Sequence, residues 1–254
     1  MTNNFTLAAQ ELLSRRTAGM KAPRLASSIR PESLDDALNI QTSMVGLHNS
    51  PVSGWKCLQP LAEDKFVVAP IFADGIQQGP QCELYADNGV VRIEPEIAFV
   101  LAKDLPSTTA GYSETDIDQA IGSCHMALEL IQSRFADDSE AEFLERLADG
   151  LVNQGLFIGP EISKAAAFSA SKIAITATQG EHVQTFDGTH PNTMPMKPVY
   201  WLINEMTKRG VSFRSGEALI TGSYCGIVEF EFNVPTTITY QGLGEYVVTF
   251  IDKL

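Results

Sequence analysis

Arg92-Ile93-Glu94-Pro95-Glu96-Ile97-Ala98-Phe99-Val100-Leu101, followed by Lys103-Asp104-Leu105-Pro106, is the stretch on which the reading of this chain turns. Its second half is β-branched and aromatic, which predicts a strand entering a core. Side chains alternate along a strand, so Glu94 and Glu96 project from the same face, roughly 7 Å apart. Pro95 between them removes a ladder donor and places this end at an edge or an opening of the sheet. Two like charges held side by side repel unless they face water or share a cation. Hard carboxylate oxygens suit Mg²⁺, Mn²⁺ or Ca²⁺. The plainer alternative is a solvated strand face, since Arg92, Glu94 and Glu96 share it, and the stretch alone leaves both readings open.

Working outward, 254 residues suffice for one domain with a large core, or a domain with a small subdomain. The formal net charge of −13 argues against nucleic-acid and anionic-membrane partners. A small anionic substrate would therefore need a local cation to hold it. Cys57, Cys82, Cys124 and Cys225 include no C-x-x-C pair, so free thiols and a cytoplasmic location are expected. No apolar run reaches the length of a membrane-spanning helix, and residues 1–10 lack the pattern of a secretory signal.

Residues 6–19 have a helical pattern, with Leu7, Leu12 and Leu13 on one side. Ser33 is placed to cap a second helix through Ile40 and Val45, with acidic residues in its first turn. Residues 52–58, containing Gly54-Trp55-Lys56-Cys57, predict a short strand, and 65–74 a second one ending in a turn. Ser113-Glu114-Thr115-Asp116 opens a helix with Ile117 and Ile121 behind it. Residues 126–135 fit helix or strand. Alternation of Ala127, Glu129 and Ile131 against Met126, Leu128 and Leu130 favours strand. A glutamate inside so apolar a run needs a partner, because an isolated buried carboxylate is costly. That partner is either a nearby base such as Arg134 or a cation shared with Glu94 and Glu96. Further along come a helix over 140–148, strands at 155–159 and 172–186, a helix over 198–209 closed by Gly210, and a β-rich tail. The whole predicts an α+β fold in two parts: a small helical segment over 1–50 and a β-rich unit over 51–254 with peripheral helices.

Several chemistries are excluded by motif. There is no phosphate loop, no dinucleotide fingerprint and no G-x-S-x-G elbow. His48, His125, His182 and His190 show no zinc spacing and no evident acidic partner. Gly222-Ser223 after an apolar strand offers a backbone N–H and a hydroxyl to an anion, or forms an ordinary turn.

Glu94-Pro95-Glu96-Ile97-Ala98-Phe99 with Asp104-Leu105-Pro106 resembles the fumarylacetoacetate hydrolase superfamily, in its 2-keto-4-pentenoate hydratase and 4-oxalocrotonate decarboxylase branch. The likeness continues through Asp36-Ala37, Ile40-Gln41, Gly54-Trp55-Lys56, Ala127-Leu128-Glu129, Ser133-Arg134, residues 155–159, Trp201-Leu202-Ile203-Asn204 and Leu219-Ile220-Thr221-Gly222-Ser223. It implies a mixed β-sandwich or roll of that family's C-terminal type. It also implies a Mg²⁺- or Mn²⁺-dependent lyase acting on a small 2-oxo acid in aromatic catabolism, most simply hydration of a 2-hydroxy-2,4-dienoate, and a homo-oligomer. Glu94, Glu96 and Glu129 match the family's metal carboxylates, Lys56 its catalytic lysine, and Ser223, Gly222 and Arg134 its substrate-binding segments. The chain departs from the pattern in three places. The loop after Lys56 is short, with Lys65-Phe66-Val67 where the hydratases carry an Asp-Phe-Gly-type segment. Gln132-Ser133-Arg134 replaces Asp-Ser-Arg, and Ala148-Asp149-Gly150 replaces Ala-Asp-Asn, with Asn153 as a stand-in. These departures leave a 4-oxalocrotonate-type decarboxylase, an acylpyruvate-type C–C hydrolase and a catalytically silent binder of metal or 2-oxo acid as alternatives.

Overall fold

The computed structural model describes residues 3–60, 66–136 and 141–253. Two helices begin the chain. α1 (Asn4–Ala18) is capped by Asn3 and closed by Gly19 in the left-handed conformation, and α2 (Leu34–Leu47) starts on a Ser33–Asp36 capping box. Leu12 is buried as expected, whereas Leu7 is 42% exposed and lies off the packed stripe. Ala8, Leu12, Ala37 and Ile40 bury themselves against Phe72, Phe135 and Leu147.

Seven strands form the path of a large sheet: β1 (Val52–Leu58), β2 (Val67–Phe72), β3 (Ile76–Gln77), β5 (Val91–Leu101), β6 (Ile121–Ile131), β7 (Asn153–Ile162) and β10 (Ala218–Ile220). Their order is β2-β1-β10-β5-β6-β7-β3, and an eighth strand, β11 (Val228–Phe230), also pairs with β5. β4 (Gln81–Leu84), β8 (Lys172–Gln179), β9 (His182–Thr189), β12 (Pro235–Tyr240) and β13 (Gly244–Asp252) make a second sheet in the order β4-β13-β12-β8-β9. Their inner faces share one core, into which α6 (Met196–Lys208) also inserts Val199, Leu202 and Ile203. Tyr240 of the second sheet donates its hydroxyl to the carbonyls of Glu96 and Ala127, at 3.0 and 2.9 Å, and so joins the sheets beneath the acidic stretch. This mixed α/β architecture with curled sheets and few helices is the one expected.

The short helices are α3 (Glu114–Ala120), α4 (Phe143–Ala148) and α5 (Lys164–Ser169). Ile121, expected inside a helix, is the first residue of β6: α3 lasts only two turns, and Ile121 turns into the sheet. The predicted helix start at residue 140 and the short loop at 61–65, including Lys65, lie outside the described residues.

Pro95 sits in the interior of the sheet, not at its rim. β10 pairs with residues 98–100 of β5 and β11 with residues 91–93, so residues 94–97 have no strand partner on that side. The missing N–H of Pro95 falls at this gap, and its carbonyl is met there by the Tyr224 N–H at 3.2 Å and by Ser223 Oγ at 3.3 Å. Of the two readings, edge or opening, the structure has the opening.

Candidate active site

The gap in the sheet is where the site forms. Glu94 and Glu129 are directly opposite one another on β5 and β6, and Glu96 is two residues along on the same face. One carboxylate oxygen from each of the three lies within 4.8 Å of the others. Like charges set opposite in an antiparallel pair are destabilising, the more so when buried. Glu96 is 1% exposed and Glu129 fully buried. Burial first, then the neighbouring Glu129 carboxylate, push the Glu94 carboxyl up to about 7, although Lys56 and Arg92 oppose the shift. The same two causes, joined by Glu94, hold the Glu96 carboxyl well above the usual range.

Lys56 approaches from β1. Its ammonium lies 2.6 Å from Glu129 Oε1 and donates to the Leu151 carbonyl at 3.1 Å. Burial disfavours its charge, but Glu129, Glu94 and Glu96 together outweigh burial and raise its pKa above the ordinary value. Glu129 Oε1 also accepts from Asn153 Nδ2 at 2.9 Å. Its other oxygen, Oε2, has no hydrogen-bond partner among the described residues. A buried carboxylate oxygen left unpaired beside two more carboxylates is the donor set a hard divalent cation satisfies, so the residues present fit a metal.

Glu129 thus has Lys56 as its basic partner, not Arg134. Arg134, expected at the substrate, is fully buried elsewhere: its Nε contacts both oxygens of Asp149 at 2.8 and 2.7 Å, and its Nη2 donates to the Asp149 carbonyl. It supports the turn after α4 and does not line the cavity. Gly222 and Ser223 do line it. The Gly222 N–H, however, donates to Glu96 Oε2 at 2.6 Å, so it orients a carboxylate instead of waiting for an anion. Ser223 Oγ lies within hydrogen-bond distance of the Gly226 and Pro95 carbonyls, at 3.1 and 3.3 Å. Gly222 has φ +108, and a Cβ there would meet Leu58 Cδ2 at 2.5 Å, so the close approach requires glycine.

The cavity holds about 380 Å³, and Leu58, Val67, Leu151, Val152 and Pro191 form its apolar walls. Leu151 and Val152 both have positive φ, +53 and +64, directly after Gly150 at +85. A β-branched residue in that region is strained by on the order of 1–3 kcal/mol. The strained pair brings the Leu151 carbonyl to Lys56, and Asn153 beyond it to Glu129. Neither contact was readable from Leu151 or Val152, since nothing in an ordinary Leu-Val pair signals a left-handed backbone. Asn153 had a signal, the displaced Ala-Asp-Asn pattern.

His190 is buried behind Pro191. Its Nδ1 accepts the Asn192 N–H, its Nε2 lies 3.2 Å from Thr221 Oγ1, and burial lowers its pKa to about 4. It is a neutral strut for the loop behind Gly222. His48, expected without an acidic partner, lies 3.0 Å from Asp74, away from the site.

No family model matches the chain. It is 26% identical over 162 residues to the 2-keto-4-pentenoate hydratase of Paraburkholderia phymatum, covering 63% of this chain and 61% of the relative. It is 29% identical over 133 residues to the enzyme of that name from Paraburkholderia xenovorans, covering 52% and 48%. It is 25% identical over 162 residues to the 2-hydroxyhexa-2,4-dienoate hydratase of Comamonas testosteroni, covering 63% and 60%. The match therefore spans about half to three fifths of these relatives' length. Among solved structures, the 4-oxalocrotonate decarboxylase of Pseudomonas putida G7, complexed with magnesium and adipate, superposes with a TM-score of 0.79 at 18% identity, covering 97% of each chain. The fumarylpyruvate hydrolase of Pseudomonas aeruginosa, complexed with Mn²⁺ and pyruvate, gives 0.54 at 13% identity, covering 82% and 93%.

Proposed function

We propose that this chain, whose fold is that of the fumarylacetoacetate hydrolase superfamily, is a divalent-metal-dependent lyase. Its substrate is a small 2-oxo acid or the enol form of one, and its reaction is hydration of a 2-hydroxy-2,4-dienoate. The observation that carries the reading is the meeting of Glu94, Glu96 and Glu129, with Glu129 Oε2 unpartnered, beside the ammonium of Lys56. The hydratase names of the sequence relatives favour hydration over decarboxylation or C–C hydrolysis.

Glu94, Glu96 and Glu129 would hold Mg²⁺ or Mn²⁺, which supplies a Lewis acid toward the carboxylate and keto oxygens of a 2-oxo acid. The remaining work belongs to the protein. The Gly222 N–H and Asn153 Nδ2 fix the orientation of Glu96 and Glu129. Lys56 holds a proton at Nζ at the cavity wall, and can deliver or recover it as hydrogen moves along the carbon chain. The apolar walls keep bulk water from the enol while admitting the one molecule that adds.

Incubation of the protein with Mg²⁺ and 2-hydroxypenta-2,4-dienoate, followed by diene absorbance, tests the proposal. Absorbance should be lost only with the ion present, and Glu129→Gln should demand far more Mg²⁺. If neither this diene, nor oxalocrotonate, nor an acylpyruvate turns over while the ion still binds, the chain is a binder and not a lyase.

A further inference from the structure

Trp55 and Lys56 are neighbours on β1 and so face opposite sides of the sheet. Lys56 serves the acidic site. Trp55 opens onto a separate cleft of about 460 Å³ between α2 and α6, walled by Leu38, Val45, Val52, Met206 and Val211. At its base lies Glu217, only 5% exposed, immediately before β10. One of its oxygens, Oε2, accepts the Trp55 indole N–H at 3.0 Å, and the Arg214 backbone N–H also favours its charged form.

The surrounding charges are already engaged. Arg209 at the rim is bound to Asp35 at 3.0 Å and Glu205 at 2.7 Å, with its guanidinium over the Phe66 ring. Arg214 is bound to Asp104 at 3.1 Å, and Asp104 also accepts the Ser215 N–H. The Asp104-Leu105-Pro106 motif thus braces the turn that carries Glu217, with Leu105 bridged to Phe213 and Phe213 against Trp55. Burial pushes the Glu217 carboxyl up to about 7.

A buried carboxylate at the foot of a cleft with apolar walls and a polar rim has a definite complement. An anion is repelled by Glu217, and because Asp35, the other carboxylate at the cleft, is taken up by Arg209, a divalent metal finds no pair of free carboxylates there. A compact cation on an apolar body answers both features, with N–H donors and a charge for the Glu217 carboxylate and hydrocarbon for Leu38, Trp55 and Met206. We propose that this cleft is a second binding site, for a small organic ammonium compound, formed by Trp55 and Glu217 and independent of the acidic cavity.

Benzylammonium serves as the probe and benzyl alcohol as its uncharged counterpart, each titrated by calorimetry and by indole fluorescence. The chain has two tryptophans, so Trp201→Phe leaves Trp55 as the only indole reporter. The expected result is saturable one-to-one binding of benzylammonium that perturbs Trp55, with benzyl alcohol at least tenfold weaker. Glu217→Gln should weaken the amine at least tenfold and leave Mg²⁺ binding unchanged. Val45→Trp, at an exposed rim position, should block the cleft without touching its base. It keeps the test decisive if the Glu217 variant does not fold. Equal binding of alcohol and amine, equal amine binding to the Val45→Trp chain, or no saturation by benzylammonium overturns the proposal.

Discussion

Two buried polar clusters lie close together in this molecule, and they are built on opposite principles. In one, Arg134 and Asp149 meet through both carboxylate oxygens, with Nη1 and Nη2 each donating to a backbone carbonyl. Opposite charges meet directly, and the pair stitches the turn after α4 to the end of β6. In the other, three carboxylates face one ammonium, and an oxygen of Glu129 is unpartnered. A closed pair needs nothing from solution, whereas an open cluster of like charge persists at the centre of a sheet only if something outside the chain completes it. Buried charge by itself therefore says little about function, and the imbalance of charge says a good deal.

Breaking the closed pair should give the largest effect. Arg134→Met strands the buried Asp149 carboxylate and should cost roughly 3–5 kcal/mol of stability, read by urea denaturation. Loss under about 1 kcal/mol would mean the pair is not the strut described. Lys56→Met should lower turnover about 100-fold or more while divalent affinity survives, which separates proton handling from ion binding in one assay.

The open cluster should also make the ion-free protein sensitive to base. The Glu94 carboxyl sits near 7 in the folded chain against an ordinary 4.5. The folded state therefore keeps a proton that the unfolded chain releases earlier. The stability tied to that proton is complete below about 4.5 and is lost as pH rises through 7. The loss should be about 1 kcal/mol after allowance for solvent screening, measured as a falling Tm between pH 5 and 8 in chelator. Added Mg²⁺ should reverse the trend.

Val152→Asn accepts a left-handed backbone more readily than valine and should stabilise the fold by about 0.5–1 kcal/mol. It should leave turnover nearly unchanged if the left-handed backbone, and not the valine itself, is what brings the Leu151 carbonyl to Lys56. The smallest change is expected from Glu96→Gln. A carboxyl held well above its ordinary range resembles an amide, so ion-free stability at neutral pH should stay within about 0.5 kcal/mol, whereas stabilisation by Mg²⁺ should vanish.

Much of this was legible in the chain itself, because its signals are local. The alternation around Glu94-Pro95-Glu96 announced a strand with two acids on one face, and the proline announced a break in pairing. Capping residues Ser33 and Ser113 marked helix starts that the structure has. What was not legible depends on long-range pairing. That Pro95 lies in an interior gap follows from β10 and β11 sharing one flank of β5, which no local pattern encodes. Arg134 was placed at the substrate by the family resemblance, and beside Glu129 by its neighbourhood in sequence, but its partner, Asp149, comes from the turn after α4. The Gly222 N–H looked free for an anion until β10 brought it to Glu96. The positive φ of Leu151 and Val152 is imposed by the ends that 149–153 must join, not by those residues' own preferences.

The central claim is that Glu94, Glu96 and Glu129 are completed by one divalent cation. Calorimetric titration of Mn²⁺ or Mg²⁺ into the chelator-treated protein, in two buffers of different ionisation heat, tests it most directly. The account predicts one ion per chain, release of protons as Glu94 and Glu96 ionise, and loss of both signals in Glu129→Gln. Failure to bind either ion, or binding with the same affinity and proton release in Glu129→Gln, would contradict it.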